Sequence, residues 1–249
     1  MKRWPYPRIV AHRGGGALAP ENTLAAIRLG QSLGYRAHEF DVKLSRDGVP
    51  ILMHDAELDR TTNAKGRVAD LDWAALSKLD AGSWHSREFA GEPVPSFEDA
   101  ARVLLSKGTM AHIEIKPTPG FDVETARRVA EDARRLWREA PVPPLFSSFT
   151  FEALMSAREA APEIPRGWLV SRFTDADWDR LAALDAVSLH TNHEHFDVGH
   201  LARLHDLGYR VMLYTVNDVA TARSLLDAGV DGLFTDNLRD FAQAFPELI

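Results

Sequence analysis

The stretch RIVAHRGGGALAPENTLAAIRLGQSLG, residues 8–34, carries the alternation that predicts the fold. A short apolar strand ends at His12 and Arg13, three glycines follow, and residues 22–34 place apolar side chains at helical spacing. Asn22 is positioned to cap the start of that helix. A strand that ends in a histidine and an arginine before a glycine-rich loop is typical of a place where backbone and side chains approach a ligand. The stretch predicts a strand followed by a helix, with a candidate binding site between them.

The same alternation of apolar strand and amphipathic helix continues along most of the chain. Strands are predicted at residues 8–13, 37–44, 112–116, 144–149, 167–171, 186–190, 210–216 and 232–236. Helices are predicted at residues 22–34, 122–138, 150–161, 177–184, 197–207 and 218–228. About eight strands, each followed by a helix, predict an α/β fold of the (β/α)8, or TIM barrel, type. A doubly wound parallel sheet is the alternative, but it usually has fewer strands and one dominant glycine fingerprint.

Residues 49–96 interrupt this alternation. They contain a short strand in VPILMHD, then polar turns and a small helix around residues 71–79. We therefore expect a small insertion subdomain between the second strand and its helix, packed on the mouth of the barrel. No low-complexity segment or linker divides the rest of the sequence, which predicts one domain over residues 1–249.

The composition narrows the class of partner. The formal net charge of -7 at pH 7 argues against a general nucleic-acid-binding protein, which normally has a basic face. The sequence has no cysteine, so disulfides and thiolate metal sites are excluded. The first residues lack the apolar core of a signal peptide, and no segment has the roughly 20 apolar residues of a membrane span. These features predict a soluble, cytoplasmic protein.

Two predicted strands carry polar side chains on one face. In AHEFDVKL, Glu39 and Asp41 are two residues apart and therefore point to the same side of the strand. In HIEIK, Glu114 and Lys116 do the same. A single acid in a strand is usually at the surface or in an ion pair, but two such patterns on consecutive strands indicate a shared site. The carboxylate oxygens of Glu39, Asp41 and Glu114 suit Mg²⁺ or Ca²⁺, with Mn²⁺ as a third candidate.

Two histidines and two cations accompany these acids. His12 and Arg13 end the first strand, and His54 follows the second strand through the tight turn SRDG, which directs it to the same mouth. Histidines can supply a general acid and a general base, while Arg13 and Lys116 hold developing negative charge, so the set suits cleavage of a phosphodiester. The simpler interpretation of His54 is a core residue. A metal-dependent amidohydrolase is a rival class, but it needs a His-x-His pair where this sequence has His-Arg-Gly.

The segment HTNHEHF contains His190, His193 and His195, a cluster that superficially resembles a zinc site. Zinc sites pair such histidines with a carboxylate or third ligand at fitting geometry. We expect most of this cluster to serve turn and helix-cap duties after the sixth strand, with His190 as a candidate pocket residue.

Several motifs occur together and in order: AHRGGGALAPENT, EFDVKLSRDGVPILMHD, LDRTTNAKG, IEIKP, YTVND and GVDGLFTD. In combination they resemble the glycerophosphodiester phosphodiesterase family over residues 8–238, and most closely its cytosolic bacterial type. The resemblance implies a (β/α)8 barrel with an inserted subdomain at its mouth. It also implies metal-dependent hydrolysis of a small-molecule glycerophosphodiester to sn-glycerol 3-phosphate and an alcohol. The family often has WTVN where this sequence has YTVN, so Tyr214 keeps a flat ring at that position.

The resemblance also assigns roles by position. The matching positions are His12 and His54 for the catalytic histidines, Glu39, Asp41 and Glu114 for the metal ligands, and Arg13 and Lys116 for the phosphate contacts. It implies that one histidine deprotonates the glycerol 2-hydroxyl for attack on phosphorus and the other protonates the departing alcohol, before water opens the cyclic phosphate. Direct attack by water is the simpler alternative, and the sequence does not assign the two histidine roles.

Two other functions compete with this one. A non-catalytic barrel used for binding should have lost at least one of the matching residues, and all are present. A lipid phosphodiesterase of the sphingomyelinase D type shares part of the pattern, but that type is usually exported and disulfide-linked. The preferred head group, the native metal and the oligomeric state stay open.

Overall fold

Parallel strands close into a barrel. In the computed structural model, which describes residues 4–249, β1 (Ile9–Ala11) pairs in parallel with both β2 (Ala37–Leu44) and β9 (Gly232–Thr235). The other barrel strands follow in chain order: β4 (Met110–Ile115), β5 (Leu145–Ser148), β6 (Arg166–Val170), β7 (Ser188–Asn192) and β8 (Arg210–Tyr214). Because β1 joins β2 to β9, the ring has no open edge there. The predicted (β/α)8 barrel is confirmed, and the doubly wound sheet is wrong.

Helices follow the strands and cover the outside of the barrel. Their bounds are α1 (Leu24–Ser32), α3 (Phe97–Ser106), α4 (Asp122–Leu136), α5 (Phe151–Ala160), α6 (Ala176–Ala183), α7 (Leu201–Asp206), α8 (Val219–Asp227) and α9 (Leu238–Ala244). Their apolar faces pack on the outer faces of the strands and form the main hydrophobic core. Within residues 4–249, no helix combines the length and the apolar character needed to cross a bilayer.

Strand β2 shows how the sequence divides the core from the barrel interior. All eight residues are buried, although the strand contains four polar side chains. Phe40 and Val42 face the helices and belong to the main core. Ala37, which has the opposite parity, belongs to a small apolar cluster inside the barrel, and Glu39 and Asp41 share that face. The period of two therefore places both carboxylates in the barrel interior.

The segment between β2 and α3 forms a layer of its own. Strand β3 (Pro50–Leu52) pairs antiparallel with the end of β2, and the one-turn helix α2 (Trp73–Leu76) follows. A separate hydrophobic cluster fills this segment, formed by Ile51, Met53, Leu58, Val68, Leu76, Ala81 and Val94. The Glu92 carboxylate accepts a hydrogen bond from the backbone N–H of Ala25, which ties the segment to the start of α1.

Helix α1 begins differently from the sequence expectation. The side chain of Thr23, not that of Asn22, accepts a hydrogen bond from the backbone N–H of Ala26 and caps the helix. Asn22 has a φ of 58° and turns its side chain away from the helix, toward β2. The prediction that Asn22 caps the helix is wrong, because a partner on β2 binds its amide.

Candidate active site

One cavity lies at the carboxyl ends of the barrel strands, where active sites of this fold form. The predicted site residues all line it, namely His12, Arg13, Glu39, Asp41, His54, Glu114 and Lys116. The wall is completed by Ser147, Phe149, Leu169, His190, Tyr214, Thr215 and Phe234. His12 and Phe234, which are 222 positions apart in the sequence, therefore line the same cavity.

The three predicted metal ligands converge because β2 and β4 are neighbours. Asp41 and Glu114 are register partners on these parallel strands, and Glu39 lies one pleat below Asp41. Each side chain offers an oxygen atom, and these atoms lie within 4.8 Å of one another. An all-carboxylate set of this kind fits a hard divalent cation such as Mg²⁺ or Ca²⁺.

Burial and mutual repulsion act on the protonation of these acids. Burial, followed by the charge of Asp41, raises the pKa of Glu39 and of Glu114 above the ordinary value. Burial also acts to raise the pKa of Asp41, but the positive charges of Lys116, His54 and Arg13 lower it overall. Further positive charge at this place would therefore favour the state in which all three carboxylates are ionised.

Two cationic side chains border the acids. The Lys116 ammonium nitrogen lies 2.8 Å from Oε1 of Glu114 and 3.4 Å from Oδ1 of Asp41. The Arg13 guanidinium Nε lies 3.9 Å from Oδ2 of Asp41, and the Arg13 backbone N–H donates to Oε2 of Glu39. Both cationic side chains also line the cavity, where they can contact a bound anion.

His12 is held on one side by an acid from the far end of the chain. Its Nδ1 lies 2.7 Å from Oδ1 of Asp236, and its Nε2 lies 3.9 Å from Oε2 of Glu39. Burial acts to lower the pKa of His12, but the hydrogen bond to Asp236 and the charge of Glu39 raise it overall. Asp236 was not among the predicted site residues, although it ends the quoted motif GVDGLFTD.

His54 is held in the same way by its neighbour in sequence. Its Nδ1 lies 2.6 Å from Oδ1 of Asp55, and burial lowers the pKa of His54. The buried Lys43 donates a hydrogen bond to the backbone carbonyl of His54 and fixes the backbone there. Both catalytic candidates thus present Nε2 for chemistry while Nδ1 is occupied. Asp55 and Lys43 were not among the predicted site residues either.

Asn22 links the first loop to a candidate metal ligand. Its side-chain amide donates to Oδ2 of Asp41 at 2.8 Å, and its carbonyl accepts from the backbone N–H of Asp41 at 3.0 Å. Asn22 is buried, so neither bond competes with bulk water. This pair of bonds orients the Asp41 carboxylate.

The glycines after Arg13 serve close packing of the backbone. Gly16 has a φ of 56°, and a Cβ atom there would overlap the carbonyl of Asp236 and the side chain of Leu238. A Cβ at Gly15 would press against Ala26 of α1. Only a loop without side chains can approach both α1 and the end of β9, and that approach fixes His12 and Arg13.

The three histidines of the segment HTNHEHF lie in two different places. His190 lies on the interior face of β7, lines the cavity, and shares a hydrogen bond with Ser188. Burial lowers its pKa to about 3. His193 and His195 belong to a single 3-10 turn after β7, whose start is capped by the Asn192 side chain.

The fold and this cavity define a barrel enzyme of the (β/α)8 class, and comparisons with known proteins give its family. The glycerophosphoryl diester phosphodiesterase family model matches residues 12–239. A glycerophosphodiester phosphodiesterase of Caldanaerobacter subterraneus subsp. tengcongensis is 30% identical, covering 92% of this chain and 93% of that protein. The chain belongs to the glycerophosphoryl diester phosphodiesterase family.

Solved structures agree with this assignment. A phosphodiesterase of Oleispira antarctica in complex with the product sn-glycerol-3-phosphate is 36% identical, with a TM-score of 0.90 over 97% of this chain and 98% of that one. A glycerophosphodiester phosphodiesterase of Agrobacterium tumefaciens is 29% identical, with a TM-score of 0.80 over 95% of this chain and 99% of that one. The similarity therefore extends over the whole barrel.

Proposed function

We propose that this chain hydrolyses glycerophosphodiesters to sn-glycerol 3-phosphate and an alcohol, using a divalent cation and proton transfer by His12 and His54. The observation that carries the proposal is the meeting of three carboxylates, two histidines and two cationic side chains in one cavity. The similarity to the Oleispira antarctica phosphodiesterase, whose structure holds sn-glycerol-3-phosphate, supports the choice of product.

The donor set fits a divalent cation. Glu39, Asp41 and Glu114 would hold it through oxygen atoms that already lie within 4.8 Å of one another. When bound, the cation would neutralise part of the negative charge on the phosphoryl oxygens. Mg²⁺, Ca²⁺ and Mn²⁺ are all candidates, because each accepts carboxylate oxygen ligands.

Arg13 and Lys116 would bind the phosphate. Both side chains line the cavity and lie beside Asp41, which is one of the residues that would hold the cation. Their fixed positive charges act on the charge that develops during cleavage. Removing either one should therefore weaken transition-state binding more than it disturbs the fold.

His12 and His54 would move the protons. Asp236 and Asp55 hold the Nδ1 atoms, so each ring has one orientation and offers Nε2 to the substrate. One histidine takes the proton of the attacking group, which is either water or the glycerol 2-hydroxyl; attack by the 2-hydroxyl forms a cyclic phosphate, which water then opens to sn-glycerol 3-phosphate. The other donates a proton to the departing alcohol oxygen.

Turnover of several glycerophosphodiesters tests this proposal. Purified protein is incubated with glycerophosphocholine, glycerophosphoethanolamine or glycerophosphoglycerol, and sn-glycerol 3-phosphate is measured by a coupled dehydrogenase. Activity should vanish in EDTA and return with Mg²⁺, Mn²⁺ or Ca²⁺. At a hundred times its Kd, the cation should also add about 2.7 kcal/mol to the free energy of unfolding and so raise the melting temperature.

Glu114→Gln keeps the size of a ligand and removes its charge, so it should weaken cation affinity while the fold persists. The exposed Glu159→Gln on α5 is the matched control and should behave as wild type. Full activity in chelator would remove the cation from the proposal. If none of the three substrates released sn-glycerol 3-phosphate, the proposed activity would be refuted.

A further inference from the structure

Arg60, in the segment between β3 and α2, binds two carboxylates at once. Its Nε and Nη2 donate to the two oxygens of Asp55 at 2.7 and 3.1 Å. Its Nη1 and Nη2 donate to the two oxygens of Glu21 at 2.7 and 2.8 Å. A planar guanidinium can hold two carboxylates in this forked manner, whereas a lysine ammonium offers its donors from one point.

Each of these carboxylates also contacts a residue of the candidate active site. Asp55 accepts from Nδ1 of His54 at 2.6 Å, and Glu21 accepts from Nη1 of Arg13 at 2.7 Å. The result is an unbroken series of hydrogen bonds that runs through Arg13, Glu21, Arg60, Asp55 and His54. Arg13 belongs to the loop after β1 and His54 to the segment after β3. These hydrogen bonds therefore join two parts of the cavity wall.

We propose that Arg60 is a positioning residue, which fixes the His54 imidazole through Asp55 and fixes its place relative to Arg13 through Glu21. The inference rests on the proposed function, because His54 has a catalytic task only in that reaction. Among the residues that the structure describes, Arg60 is not one of those that line the cavity. It therefore acts through its partners. Asp55 and Glu21 accept every hydrogen bond of this network, and Arg60, Arg13 and His54 donate them.

The strength of this arrangement comes from its geometry. The Arg60 side chain is 44% exposed, and an isolated pair at such a surface contributes little to stability. Here four bonds from one rigid group restrain two loops, which limits motion of the His54 ring. A catalytic group displaced by about 1 Å can lose about 100-fold in rate. Arg60 therefore affects turnover more than unfolding.

Kinetics of Arg60→Gln and Arg60→Lys test this role. Arg60→Gln should lower kcat about 10-fold to 100-fold, with KM and cation affinity little changed. Arg60→Lys retains the charge without the fork and should recover only part of the loss. The matched control is Arg46→Gln, since Arg46 makes a similar two-bond pair with Asp72 on the exposed surface. Arg46→Gln should keep the wild-type kcat.

A second arm asks whether the effect passes through His54. In a His54→Ala background, Arg60→Gln should cause no further loss of the residual rate. A further loss there, an equal loss in Arg46→Gln, or a wild-type kcat in Arg60→Gln would each overturn the proposal. If Arg60→Gln does not fold, the Arg60→Lys variant decides by the same comparisons.

A readout that does not need turnover separates this inference from the proposed function. Nitrogen-15 NMR of the His54 imidazole reports which ring nitrogen carries the proton and whether Nδ1 is hydrogen-bonded. Arg60→Gln should shift these signals, and Arg46→Gln should leave them unchanged. Unchanged His54 signals in Arg60→Gln would refute the positioning role. Wild type that cleaves no glycerophosphodiester, while the His54 signals still shift, would refute the proposed function alone.

Discussion

Replacing Asn22 with alanine should weaken cation binding more than its location in a loop suggests. Asn22 makes two hydrogen bonds to Asp41, one to the carboxylate and one from the backbone N–H. Alanine removes both and leaves a buried N–H and a buried carboxylate oxygen without these partners. Asp41 would then sample other orientations, and the carboxylate set would no longer be arranged in advance for a cation.

The magnitude follows from the burial of these groups. An unpaired buried polar group costs about 1–3 kcal/mol of unfolding free energy. The φ of 58° at residue 22 adds strain, because alanine tolerates this region less well than asparagine. Loss of a residue that orients a metal ligand typically costs about 10-fold to 100-fold in affinity, which is about 1.4 to 2.7 kcal/mol.

Titration of Asn22→Ala with Mn²⁺, followed by calorimetry and by turnover, measures the effect. Thr23→Ala is the matched control: it removes the helix cap one residue away, costs about 1 kcal/mol of stability, and has no bond to Asp41. Thr23→Ala should bind Mn²⁺ with wild-type affinity. Equal Mn²⁺ affinity in both variants would show that Asn22 acts on stability alone and would refute the argument.

Three further outcomes are expected. His12→Ala and His54→Ala should each lower kcat by about 100-fold or more, since a positioned proton-transfer group contributes about 10²–10⁴-fold; near-normal turnover with cation still bound would contradict two-histidine catalysis. The double variant His193→Asn, His195→Asn should keep turnover within a few-fold, and a loss of bound metal measured by elemental analysis would overturn this. Because the pKa of His190 is lowered to about 3, the unfolded chain takes up a proton below about pH 6.5 that the native chain does not. The unfolding free energy should therefore fall on acidification by about 1.4 kcal/mol per pH unit from this group; urea titrations of His190→Gln should show a slope smaller by that amount, and equal slopes would count against it.

Local sequence patterns are enough to predict the strands that carry the site and the face on which its acids lie. Strand periodicity is local, so two carboxylates at positions i and i+2 must share a side whatever the rest of the chain does. Consecutive strands of βα units are usually neighbours, which is why Asp41 and Glu114 meet as register partners. Glu39 follows from the same alternation, one pleat below.

The side chains that hold these groups in place follow only from the packing of remote segments. Asn22 and Thr23 are both good capping residues, and nothing local chooses between them; Asn22 is taken by Asp41, which leaves the cap to Thr23. Asp236 reaches His12 across 224 positions only because β9 closes the barrel on β1. Such bonds depend on distances between segments that are remote in sequence. Periodicity and spacing encode the direction of a side chain, but its partner is fixed only when the barrel closes.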